Sequence, residues 1–138
     1  MKLKIEKVLL IDDTEIDLYI TSCMMEAAEF SGSVITRTSA EEALTYLRMN
    51  ADNPKQLPDV IFLDIRMPLM DGFEFLDEYD KLPDSVKEHC IIYMLSSSLD
   101  YEDLAKAKCS PYVASFINKP LYPETLTRIK SQVLQQQC

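Results

Sequence analysis

Five short apolar runs, each followed by a stretch with helical spacing, restrict this chain more than any other feature of its sequence. The runs are KVLLID (7–12), SVITRT (33–38), DVIFLD (59–64), CIIYMLSS (90–97) and YVASFIN (112–118). Their lengths and β-branched content suit strands. The intervening segments carry apolar residues three or four apart. The first has Ile16, Ile20, Cys23 or Met24, and Ala27; the second has Ala40, Ala43, Leu44 and Leu47. Phe73, Leu76 and Tyr79 mark a third, Leu104 and Ala107 a fourth, and Leu126, Ile129 and Val133 a fifth. Each stripe predicts one helix.

Start signals fall where these helices should begin. SAEE (39–42) and DGFE (71–74) put a capping side chain three residues ahead of a glutamate, and Pro123 suits a first helical turn. Strict alternation of strand and helix implies parallel strands joined by crossovers, with helices on both faces of the sheet. Strands covered on both sides have no polar face, so VIFL and IIYML run apolar without a break. The expected fold is α/β and doubly wound, with five parallel strands and five helices. At 138 residues one core suffices, so residues 1–138 are expected to form a single domain with no output domain. NADNPKQLP (50–58) is then a loop inside that domain.

With 23 acidic residues against 14 basic ones, a net charge of −9 works against binding to nucleic acid or an anionic membrane. The aliphatic stretch VLLI (8–11) is too short for a signal-peptide core or a membrane span, and a cytoplasmic location is expected. Cys23, Cys90, Cys109 and Cys138 lie far apart without a CxxC, the pattern of reduced thiols. His89 is the single histidine. Read as the start of the fourth strand, it lies about seven residues at ~3.3 Å each from Ser96, near the other end of the sheet. It is expected to be structural or solvated and to stay away from the site.

In an open parallel sheet, ligands bind beyond the carboxyl ends of the strands. Here Asp12 and Asp13 end the first strand, Asp64 ends the third, Ser96 and Ser97 end the fourth, and Lys119 and Pro120 follow the fifth. Carboxylates converging there repel, two at about 5 Å costing on the order of 3 kcal/mol at an effective dielectric near 20. Protons or a cation must relieve that. Hard oxygen donors with no nearby Cys or His favour Mg²⁺, with Mn²⁺ as a substitute. A metal ion and a lysine around one aspartate suit a phosphoryl group, whose oxygens they neutralise while the Ser96 hydroxyl donates to one of them. The aspartate is then the nucleophile of aspartyl-phosphate chemistry. Singly, each residue is ordinary in turns, caps and loops. Their predicted meeting at one edge carries the reading.

LIDD (10–13), LDIRMPLMDG (63–72), MLSSS (94–98) and FINKP (116–120) together make the sequence resemble a response regulator receiver domain of the CheY-like superfamily, over nearly the whole chain. The resemblance implies the strand order 2-1-3-4-5. It implies that Asp64 is the phosphorylated residue and that Asp12, Asp13 and Asp64 hold Mg²⁺, Asp13 as a direct ligand. The backbone carbonyl of Arg66 would complete the protein's share of that coordination. Ser96 and Lys119 would bind phosphoryl oxygens, the small Ser97 would leave room for them, and Lys119–Pro120 would be the family's cis peptide. Ser96 and Phe116 would form the switch, the hydroxyl moving inward and the aromatic ring following. Phenylalanine, where many members carry tyrosine, has no hydroxyl to expose or bury; its other reading is plain core packing. Arg66 and Ser98 fall at positions the family uses to tune the lifetime of the phosphate. Arg66 would shield the acyl phosphate or steer partners, or else be a solvated surface arginine. Pro68 cannot continue a ladder and biases Met67 towards an extended conformation, which leaves the strand edge open.

The expected function is that of a stand-alone phosphoacceptor rather than a conventional enzyme. A histidine kinase or phosphotransfer protein donates to Asp64, and the face made by the fourth predicted helix, the fifth strand and the fifth helix controls a separate protein. The chain would act as a monomer or a weak dimer through that face. Direct DNA regulation is not expected, since no helix-turn-helix segment follows and the charge is wrong. An alternative is an interaction module that keeps the fold without switching, against which the complete set of acids and Lys119 counts. Another is a Mg²⁺-dependent phosphohydrolase, against which the lack of an acid two residues after Asp64 counts.

Overall fold

In the computed structural model, which describes residues 4–98 and 100–136, every strand falls within one residue of its predicted run at either end. The strands are β1 (Lys7–Ile11), β2 (Ser33–Arg37), β3 (Val60–Asp64), β4 (Ile91–Ser96) and β5 (Val113–Asn118). All pairs are parallel, in the order β2-β1-β3-β4-β5. Between and after them lie α1 (Glu15–Ala27), α2 (Ala40–Met49), α3 (Gly72–Tyr79), α4 (Asp84–His89), α5 (Tyr101–Cys109) and α6 (Pro123–Gln136).

Successive strand residues face opposite sides of the sheet, so each strand feeds two cores. Leu9, Ile11, Ile61, Leu63, Ile92 and Met94 pack under α2, α3 and α5, joined by Leu44, Leu47, Phe75, Tyr79 and Ala107. Val8, Leu10, Val60, Phe62, Tyr93 and Leu95 pack on the other side with Leu18 and Met25 of α1 and Leu126, Ile129 and Val133 of α6. Each Val, Leu, Ile, Phe or Met side chain among them, fully buried, contributes about 1.5–3 kcal/mol. The caps form as the sequence implies. Asp71 and Glu74 make a reciprocal capping box at α3, and Ser39 accepts the Glu42 amide at 3.1 Å at α2.

Three expectations need correction. There are six helices among the described residues instead of five, because DSVKEH forms the short α4. Only Val86 of that helix is buried, so there is no stripe to read. His89 therefore ends a helix rather than starting β4. It does lie at the far end of the sheet, its Nε2 3.1 Å from Oδ1 of the buried Asp59. The third correction concerns α1. Ile16 and Ile20 are exposed by 64% and 40%, and Cys23 and Ala27 are exposed too; the buried residues are Leu18 and Met25. This helix is apolar on several sides, so spacing alone does not select the face that docks. Cys23 and Cys109 are exposed free thiols and Cys90 is buried, while Cys138 lies outside the described residues.

Candidate functional site

Strand register assembles the site. Ile11 pairs with Leu63, which brings Asp12, one residue on, beside Asp64; Asp64 pairs with Leu95, and Ser96 with Asn118, which leads into Lys119. The Lys119 amide donates to the Ser96 carbonyl at 2.8 Å, and the Lys119–Pro120 peptide is cis. Residues more than a hundred positions apart thus share one edge because three hydrogen-bonded ladders end together.

Asp12 and Asp64 are each 5% exposed, whereas Asp13 faces solvent. One oxygen from each of the three lies within 4.8 Å of the others. The Lys119 ammonium reaches Asp12 Oδ2 at 2.5 Å, Asp64 Oδ1 at 3.3 Å and Asp17 Oδ2 at 3.3 Å. Asp12 also accepts the Thr14 amide at 3.0 Å, which ties the loop before α1 to the acid. Burial pushes the Asp64 carboxyl up to about 6, with the charges of Asp12 and Asp13 adding and Lys119 opposing. Burial works to lower Lys119, but its hydrogen bond to Asp12 and the charges of Asp64, Asp12 and Asp17 outweigh that and raise it. The lysine stays charged, and it does not fully offset the acids.

Ser96 is buried, and its hydroxyl is turned back on its own loop, donating to the Ser98 carbonyl at 2.6 Å while accepting the Ser98 amide at 3.2 Å. Ser97 lines a cavity of about 260 Å³ with Asp17, Ile20, Thr21, Lys119 and Pro120. Phe116 is half-buried against the core under α5. The Arg66 side chain pairs with α5, its Nη2 2.5 Å from Asp103 Oδ2 and 3.6 Å from Asp100 Oδ2. Gly72 explains the glycine of the MDG motif. A Cβ there would stand 2.9 Å from the Asp64 carbonyl oxygen and 3.0 Å from Ile65 Cα, so only glycine lets α3 start this close to the acid.

The sequence signature of the response regulator receiver domain matches residues 8–130. The chain belongs to that family. The crystal structure of a two-component response regulator from Cytophaga hutchinsonii superposes on this receiver with a TM-score of 0.88 at 32% identity, covering 96% of this chain and 98% of the other. A probable methanogenesis regulatory protein, FilR2, of Methanothrix harundinacea is 29% identical over 91% of this chain and 79% of its own length. The two-component response regulator ORR1 of Oryza sativa subsp. japonica is 28% identical, and this chain spans 54% of its length.

In this receiver the sequence-predicted Asp12, Asp13, Asp64 and Lys119 meet directly, and Ser96 and Ser97 stand at the same edge. The three acids fit a hard divalent cation. Octahedral Mg²⁺ places neighbouring oxygens about 3 Å apart, a modest contraction from the observed spread, and oxygen is the donor it selects. Two residues escaped the sequence reading. Asp17 is one of several acids near the start of α1, where any carboxylate suits the helix dipole. Asp103 had a signal that went unused: it lies four residues before Ala107, on the buried face of α5. Among the described residues no helix is long and apolar enough to cross a membrane.

Proposed function

We propose that this receiver accepts a phosphoryl group on Asp64 from a histidine kinase or phosphotransfer protein and passes the change to a separate partner. The observation that carries this is the position of the Lys119 ammonium, 3.3 Å from a buried Asp64 that also belongs to a three-acid cluster. An Asp64 oxygen attacks phosphorus in line as the bond to the donor nitrogen breaks, and the freed imidazole takes up a proton from solvent. Lys119 Nζ donates to an equatorial phosphoryl oxygen, and its charge opposes the negative charge accumulating there. Asp12, Asp13, Asp64 and the Arg66 backbone carbonyl would hold Mg²⁺, or Mn²⁺ in its place, which would supply the remaining positive charge.

Phosphorylation adds roughly −1.5 to −2 charges at Asp64. That draws the Ser96 hydroxyl off the Ser98 carbonyl and towards the phosphoryl oxygens, and Ser97 is small enough to leave room. Phe116 of β5 follows the Ser96 hydroxyl inward, which alters the face made by α5, β5 and α6. Arg66, two residues past Asp64, and Ser98, whose backbone holds the Ser96 hydroxyl, set how readily water reaches the acyl phosphate. Incubation with acetyl phosphate and Mg²⁺ is expected to add one acid-labile phosphoryl group, read by mass, and Asp64→Asn to abolish it. Equal labelling of that variant overturns the reading.

A further inference from the structure

Lys119 is held by a carboxylate that lies outside the acidic cluster. Asp12 and Asp64 share the ammonium with Asp17, yet they also belong with Asp13 to the group whose oxygens converge within 4.8 Å. The three partners of Lys119 are therefore not equivalent. A divalent cation drawn to the cluster shares the charge of Asp12 and Asp64 and weakens their hold on the ammonium. Asp17 keeps its charge whole. It is the third residue of α1, 3.3 Å from Nζ, on the wall of the cavity that Lys119 and Ser97 also line.

We propose that Asp17 is a positioning residue for phosphoryl transfer, holding the Lys119 ammonium beside Asp64 once the acids are engaged by a cation. The inference rests on the phosphoacceptor reading of Asp64. A lysine has a long flexible stem and loses much rotational freedom when fixed. An anion behind the ammonium fixes it before the phosphoryl group arrives, so less ordering remains to oppose transfer.

Two roles for Asp17 give opposite signs. If it were only a source of negative potential, Asp17→Ala would weaken Mg²⁺ binding and tighten the binding of an anion. A positioning residue acts on the anion through Lys119. Asp17→Ala then leaves Mg²⁺ affinity within about twofold and weakens beryllofluoride binding roughly threefold to tenfold, as expected for one partly exposed charge-assisted contact. Asp17→Asn likewise leaves Mg²⁺ affinity within about twofold and weakens beryllofluoride binding, and Asp17→Glu recovers most of the loss.

The experiment titrates Mg²⁺ by calorimetry and beryllofluoride by amide NMR shifts around Ser96 and Phe116, with thermal melts to establish that each variant is folded. Asp17→Asn is nearly isosteric and keeps the test open should Asp17→Ala disturb α1. Beryllofluoride binding that is unchanged or tighter in the variants, with wild-type protein responding, overturns the Asp17 assignment alone. Wild-type protein that does not respond to beryllofluoride overturns the phosphoacceptor reading and this inference with it.

Discussion

The guanidinium of Arg66, two residues past Asp64, pairs at 2.5 Å with Asp103 of α5, and the two side chains differ sharply in exposure, 62% against 8%. The loop that leaves the site is thereby joined to a helix on the face proposed to engage partners. The asymmetry decides what each deletion should cost. Arg66→Ala strands a buried carboxylate, whereas Asp103→Ala leaves an arginine that water can solvate. Urea denaturation is expected to show a loss of about 1–2 kcal/mol for Arg66→Ala and a smaller one for Asp103→Ala, since truncating the exposed partner leaves the buried one unpaired. The reverse order would mean that Asp103 is not dependent on Arg66.

A second prediction follows from the buried position of Asp64. Burial, reinforced by Asp12 and Asp13 and opposed by Lys119, raises its carboxyl from 3.8 to about 6. A raised carboxyl binds its proton more tightly in the folded chain than in the unfolded one. Stability from this group is therefore greatest below the unfolded value, falls as pH rises through the interval between the two, and is flat above it. In chelator at pH 7.5, ionised Asp64 should cost about 1–3 kcal/mol, the free energy that accompanies such a rise less the part that water at the sheet edge screens. Asp64→Asn should accordingly melt higher than wild type at that pH, with the difference vanishing near pH 4. Mg²⁺ should raise the wild-type melting temperature more than that of the variant. A variant that melts lower in chelator at pH 7.5 would contradict this account.

How far the sequence could be read depended on what each element displays. Asp12, Asp64, Ser96 and Lys119 were legible because parallel strands end together, so a residue's place after its apolar run fixes its place at the edge. Helix α4 was not legible, since one buried valine in six residues makes no periodicity. Asp17 was hidden by being ordinary, an acid in a first turn whose partner Lys119 lies 102 residues further along the chain. The turned-back Ser96 hydroxyl was also beyond reach. It depends on where the Ser98 carbonyl points, and nothing in the order of residues encodes that direction.

The same limit appears in α1, where it yields a third prediction. Ile16 belongs to the stripe its spacing suggests and Leu18 does not, yet Ile16 is 64% exposed and Leu18 only 7%. Leu18 enters the core with Val8, Leu10 and Met25, which helix docking selects over the face bearing Ile16 and Ile20. Leu18→Ala should thus leave a cavity and cost about 2–3 kcal/mol. Ile16→Ala removes little buried area and gains helix propensity, so its effect should stay within about 0.5 kcal/mol. Paired denaturation curves measure both. A larger loss at Ile16 than at Leu18 would show that α1 docks through the stripe its spacing first suggests, and that rotation would carry Asp17 away from Lys119.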